Sequence, residues 1–435
     1  MTTVPHDDAH QPELFARIAE RIRAAERMTF ADFMSMALYE PGLGYYMTDA
    51  PRLGRDGDFV TAPEVHPLFG RLVGEQVLDM IKLLTVGRRL DRRPIIIEMG
   101  AGRGLLAEDV ITLLAERWPD WPRGIDYAIV DVSPAMQARQ RARLAPFLDR
   151  GASIRWCDTL EDVAPSGCDG VIFSNELIDA LPVHRVVMRG GRLLERYVTL
   201  EAGRLVDVID DPSTPALADY FTARGIALPD GFETEVNLRA LDWMRAVGRA
   251  LRHGFVLTID YGHPAEERYS APRRIGTLAS YAGHRRQENP YARIGRQDLT
   301  AHVDFSALVQ AGREAGLEPT GFTDQTNFLM GLGAAELMEQ RLGALDGVGR
   351  EVELTAFKLL LAPDGMGRAF KVLIQHKGVE APSLRGLMFR PFFPPASFSP
   401  AGRPFILTIS GNINKLGSLC GRIPLDPERG SAAAP

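Results

Sequence analysis

The pattern of apolar and polar residues predicts alternating strands and helices through the middle of the chain. The β-branched run Ile95-Ile96-Ile97, set between a proline and a glycine turn, is typical of a buried strand. Ser133-Pro134 opens a helix, with serine as the cap and proline at the first helical position. Further strands are predicted at 127–130, 152–156, 170–173 and 254–259. Such alternation predicts an α/β fold with a mostly parallel sheet.

Segments on either side of this core have different patterns. Helical periodicity occurs at 12–37 and again at 69–84, separated by Gly/Pro/aromatic loops. Residues 185–209 alternate as a hairpin, and a Phe- and Pro-rich composition begins after Gly378. The first predicted domain is a helical N-terminal cap with an active-site loop (1–90). The second is a core (91–378) that carries an insertion around 185–235 and a substrate-side segment at 263–340. The third is a C-terminal appendage (379–435) that is partly disordered or docked by its phenylalanines.

Charge and cysteine usage narrow the class of protein. The 435 residues carry a formal net charge of -6, so nothing suggests the basic surface that a nucleic-acid partner would need. Three cysteines form no CxxC pair and no plausible disulfide framework, which fits a reducing compartment. The opening residues 1–14 lack the pattern of a signal or transit peptide, and no run has the length of a membrane span. We therefore expect a cytoplasmic protein without membrane insertion; its oligomeric state stays open.

A glycine loop follows the first core strand. The strand ends at Glu98, and then Gly100, Gly102 and Gly104 lead into a helix. Glycines let the backbone turn sharply and let a ligand approach closely, while a helix start presents unpaired N–H groups. A nicotinamide fingerprint would need its third glycine where Leu105 stands, and a phosphate loop would need an absent Gly-Lys-Ser/Thr run. The pattern favours a cofactor without a pyrophosphate, whose cationic amino acid end would suit Glu98.

Asp131 ends the next strand. An acid at this position is placed to accept hydrogen bonds from ribose hydroxyls, as in dinucleotide-binding folds. The alternative interpretation is an aspartate that only starts the following helix. Together with the glycine loop, Asp131 favours cofactor binding.

Acidic and amide side chains follow the fourth strand. Ligands in open α/β sheets lie beyond the carboxyl ends of the strands, so Asn175, Glu176 and Asp179 are predicted to line the site. The alternative is helix capping, with Ser174 as the cap and the acids offsetting the helix dipole.

Two further carboxylates and one histidine are weaker candidates. Glu64, in the loop 57–64, is placed to fold over the cleft, and Asp260 ends the strand at 254–259. Each is as consistent with a structural role as with a functional one. His302 lies in a His-Val-Asp run, but no matching ligand cluster exists, so we predict no metal site.

Several longer motifs resemble the MidA-like methyltransferases. The resemblance spans about 28 to 376, and several of its motifs are peculiar to that family. The matching stretches are MTFADFMSMALYEPGLGYY (28–46), GDFVTAPEVHPLFG (57–70), EMGAGRGLL (98–106), DVSPAMQARQ (131–140), SNELIDALPVHRV (174–186), LTIDYGH (257–263) and DLTAHVDFSAL (298–308).

The resemblance implies a Rossmann-like class I methyltransferase that uses S-adenosyl-L-methionine. The cofactor would be held by Gly100, Gly102, Gly104 and Asp131, with Glu98 beside them. Asn175, Glu176 and Asp179 would face the transferred methyl group. Glu64 and Asp260 fall in other shared motifs to which the resemblance assigns no role; our own hypothesis is that Glu176 is the principal clamp and Glu64 contributes to a lid. A mitochondrial member of the family is understood to symmetrically dimethylate an arginine on a respiratory complex I subunit, which implies protein arginine methylation and a role in complex I assembly.

Departures from the family pattern keep other functions open. The first loop has Ala101 where proline is usual, Gly276 replaces an aspartate before Thr-Leu, and Ile294-Gly295 replaces a Pro-Gly. The last two changes lie in the substrate-side segment. The alternatives are a methyltransferase for a small metabolite or another side chain, and a non-catalytic assembly factor that keeps the cofactor fold.

Overall fold

The structure is a computed structural model that describes residues 10–48, 60–85 and 93–389. Most of the predicted appendage, beyond Phe389, and the beginning of the loop at 57–59 lie outside the described residues.

The described chain forms helices and strands in close alternation. The helices are α1 (Pro12–Ala25), α2 (Phe30–Tyr39), α3 (Ala62–Val65), α4 (Pro67–Thr85), α5 (Leu105–Arg117), α6 (Trp121–Gly124), α7 (Pro134–Leu148), α8 (Leu160–Val163), α9 (Ala216–Thr222), α10 (Leu238–Ala250), α11 (Ala265–Arg268), α12 (Phe305–Glu314), α13 (Gln325–Gly331), α14 (Ala334–Gly343), α15 (Gly347–Leu361) and α16 (Met366–Ala369). The strands are β1 (Met28–Thr29), β2 (Ile95–Met99), β3 (Asp126–Val130), β4 (Ile154–Cys157), β5 (Cys168–Asn175), β6 (His184–Arg189), β7 (Arg192–Glu201), β8 (Arg204–Asp210), β9 (Glu233–Val236), β10 (Leu251–His263), β11 (Ala279–Ala282), β12 (Arg285–Gln287), β13 (Asp298–Thr300), β14 (Val303–Asp304), β15 (Glu318–Asp324) and β16 (Phe370–Lys377).

The central sheet has the strand order β15-β16-β10-β5-β2-β3-β4. The pairs β10–β5, β5–β2, β2–β3 and β3–β4 are parallel, and β16 and β15 add antiparallel strands at one edge. All five residues of β2 are buried, as expected for a central strand covered on both faces. The predicted α/β fold with a mostly parallel sheet is confirmed.

The predicted cap and the predicted insertion pack together. Strand β1, from the cap, pairs antiparallel with β7, from the insertion. Leu14 and Phe33 share one buried cluster with Val198, while α4 packs instead on α5 in the core of the main sheet. The structure therefore groups the first 90 residues differently from the sequence pattern, because that pattern does not show which distant segment covers an apolar face.

The beginning of the predicted appendage is ordered on the core. Arg385 forms ion pairs of 2.6 Å with Asp79 and 2.9 Å with Glu75, both on α4. The backbone N–H of Gly386 donates to Gln76 at 3.0 Å. Residues up to Phe389 thus extend the main unit past the boundary predicted at 378.

Strands β9 and β15 are not among the strands that the sequence pattern predicted. Both obtain their backbone hydrogen bonds from a partner distant in sequence, β6 for β9 and β16 for β15. Such pairing overrides local propensity.

Candidate active site

One cavity of about 410 Å³ lies at the carboxyl ends of β2, β3 and β5. This is the edge where ligands bind in open α/β sheets. Its wall is formed by Tyr39, Tyr46, Thr61, Pro63, Glu64, Glu98, Met99, Gly100, Ala101, Gly102, Arg103, Leu105, Leu106, Val130, Asp131, Val132, Ser133, Met136, Asp158, Thr159, Leu160, Glu161, Asn175, Glu176, Leu177, Ala180, Leu181, Trp243 and Ala246. Seven of the nine predicted site residues are therefore in one wall, and Gly104 and Asp179 are not part of it.

The glycine loop adopts backbone conformations that favour glycine. Gly100, Gly102 and Gly104 have φ angles of 70°, 52° and 80°. A side chain on Gly100 would also approach Leu177 to 2.7 Å, so this glycine lets two loops meet. Gly104 caps α5 in the left-handed conformation, and its N–H donates to the carbonyl of Ala101 at 2.8 Å. The loop thus turns tightly enough to expose its backbone to a ligand.

Glu98 is a buried carboxylate at the end of β2. The hydroxyl of Tyr127 donates to its Oε2 at 2.5 Å. Burial raises the pKa of Glu98 to about 8. No Lys or Arg in the described part of the chain forms an ion pair with it, so a cation bound in the cavity would favour its ionised form.

Asp131 is held by groups from the following helix. Its Oδ1 accepts the N–H of Ser133 at 2.9 Å, and its Oδ2 accepts Nε2 of Gln140 at 2.7 Å. The same Gln140 amide donates to the carbonyl of Gly102 at 2.8 Å, which joins the glycine loop to the acid. Burial raises the pKa of Asp131 to about 6. A carboxylate has acceptor capacity beyond these two bonds, so Asp131 can still bind hydroxyl groups.

An apolar surface continues beyond Asp131. Val132 lines the cavity although its side chain is 56% exposed. Leu160 lines the same end, following β4. Exposed apolar side chains in a concave site are suited to the flat face of an aromatic ring system.

The acidic loop after β5 does not form a helix. Ser174 is the seventh residue of β5, and residues 176–183 are bends, turns and irregular backbone. The alternative interpretation of this segment as helix capping is therefore wrong. Glu176 has a φ of 51°, a left-handed conformation that is costly for a residue with a side chain. Strain of this kind persists only when surrounding contacts hold it.

Glu176 is the carboxylate most directly presented to the cavity. Its Oε1 accepts the N–H of Ala62 at 3.1 Å and Nδ2 of Asn175 at 3.0 Å. No described residue donates to its Oε2. Burial raises the pKa of Glu176 to about 8, and the nearby Asp179 acts in the same direction. One oxygen thus fixes the side chain and the other remains for a ligand.

Asp179 and Asp260 lie behind the loop. Asp179 is 5% exposed, accepts a hydrogen bond from Tyr261, and has a pKa raised to about 6 by burial. Asp260 is fully buried, and both of its oxygens accept backbone N–H groups. Neither residue is part of the cavity wall.

Glu64 lies on α3, a short helix that crosses the site. Its Oε2 accepts the N–H of Thr61 at 3.1 Å in a capping box, and its Oε1 pairs with Arg103 at 2.9 Å. Because Ala62 also donates to Glu176, α3 links the glycine loop to the acidic loop. Arg103 was missed by sequence reasoning, although it stands inside the glycine motif.

Two tyrosines of the N-terminal cap complete the cavity wall beside the acidic loop. The rings of Tyr39 and Tyr46 are stacked, with centroids 5.7 Å apart. The hydroxyl of Tyr39 donates to the carbonyl of Ala180 at 3.0 Å, and that of Tyr46 donates to Asp298 at 2.8 Å. Both residues lie in the first resemblance motif, which was the only sequence signal for them.

None of the histidines that the structure describes is part of the cavity wall. His302 Nδ1 lies 3.2 Å from Nε2 of His263, and burial lowers the pKa of each to about 3. Over the ranges that the structure describes, no group of three or more His, Cys, Asp or Glu side chains could hold a metal ion. Within those same ranges, no helix has the length and apolar character of a membrane span.

These side chains form a chemically consistent set. Two buried carboxylates, Glu98 and Asp131, meet a backbone-exposing glycine loop and an apolar patch in one cavity. This set fits a ligand with an ammonium group, ribose hydroxyls and an aromatic base. Arg103, the one basic side chain among the described residues of the wall, is already paired with Glu64. S-adenosyl-L-methionine has these three parts and no phosphate.

Comparison with known proteins decides the family. Residues 72–323 match the family described as "Putative S-adenosyl-L-methionine-dependent methyltransferase". The chain belongs to this methyltransferase family. A protein from Burkholderia thailandensis, crystallised with S-adenosyl-homocysteine, is 32% identical to this methyltransferase. The match covers 89% of the present chain and 97% of the Burkholderia chain, and the two structures superpose with a TM-score of 0.77. The predicted S-adenosyl-L-methionine cofactor is thereby confirmed.

Curated relatives of this methyltransferase have more specific names. The Drosophila melanogaster "Protein arginine methyltransferase NDUFAF7 homolog, mitochondrial" is 28% identical over 85% of this chain and 86% of its own. The Danio rerio "Protein arginine methyltransferase NDUFAF7, mitochondrial" is 26% identical over 82% and 85%.

The predicted cytoplasmic location was wrong. Both relatives are named as mitochondrial proteins. The prediction was drawn from residues 1–14, the three cysteines and the lack of a long apolar run, and none of these features decides where a protein acts.

Proposed function

We propose that this methyltransferase transfers a methyl group to an arginine side chain of a protein. Two relatives named as protein arginine methyltransferases support this, since each aligns over more than four fifths of both chains. The observation that carries the proposal is Glu176, a residue of the cavity wall whose carboxylate has one oxygen fixed by Ala62 and Asn175 and no donor to the other among the described residues.

We assign the cofactor to Glu98, Gly100, Gly102, Gly104 and Asp131. S-adenosyl-L-methionine supplies an electrophilic methyl group when bound. Glu98 would face the cationic amino acid end and Asp131 the ribose hydroxyls. The exposed side chain of Val132 and the apolar Leu160 would contact the base.

We assign the acceptor to the other end of the cavity. A guanidinium is planar and presents a fork of N–H donors, which a carboxylate can bind and orient. Glu176 Oε2 would hold that fork, and Asp179 would add negative charge from behind the loop. This charge offsets the repulsion between two cations that must meet, and it aligns one nitrogen with the methyl group.

The reaction releases one proton. A nitrogen–carbon bond forms with the nitrogen electron pair, the carbon–sulfur bond breaks with its electrons going to sulfur, and the nitrogen loses a proton. We assign the acceptance of this proton to Glu176 Oε2. The positive charge of a bound guanidinium favours the ionised form of Glu176, and a pKa raised by burial makes that carboxylate a better proton acceptor.

The resemblance further suggests symmetric dimethylation, with an arginine on a respiratory complex I subunit as the target. A subunit of that complex is therefore the first substrate to test. Glu64 would contribute by holding α3 over the cleft through Arg103.

A second candidate is methylation of a small metabolite or of another side chain. The unusual Gly276 in the substrate-side segment favours it. A side chain there would approach Glu235 Oε1 to 2.2 Å, and Glu235 accepts the N–H groups of Thr277 at 2.9 Å and Leu278 at 3.0 Å. The absence of a side chain at Gly276 thus leaves space for Glu235, which fixes the backbone of the loop at residues 277 and 278. A non-catalytic assembly factor is the third candidate.

The first experiment is calorimetric titration of the purified protein with S-adenosyl-L-methionine, with Gly102→Val as the control. If the wild type binds the cofactor and Gly102→Val does not, the cofactor site is established. If the folded wild type does not bind the cofactor, a non-catalytic assembly factor is the remaining candidate. Methyl transfer is then measured by mass spectrometry on matched peptides that differ only by arginine or lysine. Transfer to arginine supports the proposal, and transfer to lysine or only to small amines contradicts it.

A further inference from the structure

Asp260 has a carboxylate that serves the acidic loop without reaching the cavity. Its Oδ2 accepts the backbone N–H of Ile178 at 2.9 Å and that of Asp179 at 3.3 Å. Its Oδ1 accepts the N–H of Tyr261 at 2.8 Å. The side chain is fully buried and absent from the cavity wall, so it cannot contact a substrate bound there.

The loop that Asp260 holds is the one with the strained backbone. Glu176 has its φ at 51°, and its own N–H donates to the carbonyl of Ile259 at 2.9 Å. Three successive groups at the end of β10 therefore bind the loop: the Ile259 carbonyl, the Asp260 carboxylate, and the Tyr261 side chain through Asp179.

The remaining contacts of the loop engage its carbonyl groups. Tyr39 donates to the carbonyl of Ala180, Asn237 donates to those of Ile178 and Leu181, and Ala301 donates to that of Asp179. In the described part of the chain, Asp260 is the acceptor for the N–H groups of residues 178 and 179. Without it, the N–H of Ile178 would be buried and unpaired, a state that proteins avoid, and the N–H of Asp179 would keep only its bond to its own carboxylate.

The surroundings of Asp260 disfavour its ionised form. Burial raises its pKa well above the ordinary range, and the neighbouring Asp179 and Glu176 carboxylates act in the same direction. No described Lys or Arg pairs with it.

We propose that Asp260 is a positioning residue that sets the orientation of Glu176 by fixing the 176–179 backbone. This role depends on the proposed function of Glu176, because only a reacting carboxylate needs such an exact placement. We therefore expect substitution of Asp260 to lower turnover and to leave cofactor affinity unchanged.

The test compares Asp260→Ala, Asp260→Asn and Asp169→Ala. Asp169 is a matched control: it is 4% exposed, lies on β5 at the opposite end of the same sheet, and binds Arg252 and His253 instead of the loop. For each variant, kcat, the peptide KM, cofactor affinity by calorimetry and thermal stability are measured.

We expect Asp260→Ala to lower kcat by about 100-fold, since small misplacements of a reacting group have effects of that order. Asp260→Asn keeps an oxygen for the 178 and 179 N–H groups and should recover about tenfold of this loss. Cofactor affinity should stay unchanged in both. The proposal is overturned if Asp169→Ala, at equal loss of stability, lowers kcat as much, or if the asparagine variant recovers nothing.

Hydrogen exchange separates this inference from the proposed function. In Asp260→Ala the amides of residues 176–179 should exchange faster than in the wild type, while those of Asp169→Ala should not change there. Faster exchange in a protein that methylates no arginine would refute the proposed function and leave the backbone role standing. Unchanged exchange would refute the positioning role whatever the activity.

Discussion

The two ends of the cavity are built in different ways. The cofactor end comes from two consecutive strand–helix units: Glu98 and the glycine loop in one, Asp131 and Gln140 in the next. The acceptor end brings together Tyr39 from the cap, α3, the loop after β5 and the end of β10.

Because the two ends are built differently, substitutions at each end should have different effects. Cofactor binding depends on short contiguous segments, and acceptor geometry depends on segments more than 100 residues apart, such as Ala62 and Glu176. We therefore expect substitutions at one end to change affinity for the cofactor and substitutions at the other to change turnover. The following predictions test this separation, from the largest expected effect to the smallest.

Glu176→Gln should abolish turnover, with a loss in kcat on the order of 1000-fold, because the neutral amide neither holds a guanidinium nor accepts its proton. Cofactor affinity should change by less than about threefold. Both are measured by single-turnover methyl transfer and calorimetry. Glu161→Gln, an exposed acid at the cofactor end of the same wall, is the control and should retain activity. Loss of cofactor binding in Glu176→Gln would refute the assigned role.

Gly102→Val should weaken cofactor binding by about 100-fold, because a β-branched side chain is strained at a φ of 52° and would distort the loop that meets the ligand. Gly151→Val is the matched control, since Gly151 has a φ of 86° and nothing within 4 Å of an added side chain. Equal loss of binding in both variants would show that general destabilisation, and not the loop, is responsible.

Cofactor affinity should rise as the pH increases toward 8. Burial raises the pKa of Glu98 to about 8, so at lower pH the free enzyme must lose a proton before it attracts a cation. Each pH unit below that value costs up to about tenfold in ionised carboxylate. Calorimetry between pH 6 and 9 measures the slope, and Glu98→Gln should flatten it. A slope that persists in this variant would point to another group.

Arg103→Ala should have the smallest effect, about threefold to tenfold, because its pair with Glu64 is partly exposed. Unlike the other variants, it should change both cofactor affinity and kcat, since α3 bridges the two ends. Arg71 on α4 is the control: its side chain is about as exposed as that of Arg103, 32% against 34%, and it pairs with Glu116 on α5, away from the cavity wall. Arg71→Ala should change neither constant. If Arg103→Ala changes only cofactor affinity or only kcat, α3 contributes to only the corresponding end of the cavity.

Sequence patterns located most of the wall but not its connections. The predicted strand at 95–97, the Ser133 cap and the acids at 98 and 131 are where expected, because strand period, capping and glycine turns are local. The link from Glu64 to Arg103 and the stacked tyrosines could not be predicted, because each depends on how distant segments meet.

The chain by itself therefore determined the α/β alternation, the glycine loop and the family of the enzyme, since each is encoded in short runs of residues. Only the tertiary structure decided that the cap joins the insertion, that the loop after β5 is strained instead of helical, and that Asp260 serves its backbone. The reason is that buried N–H groups and carboxylates must find partners wherever the fold places them, and those partners are far away in sequence.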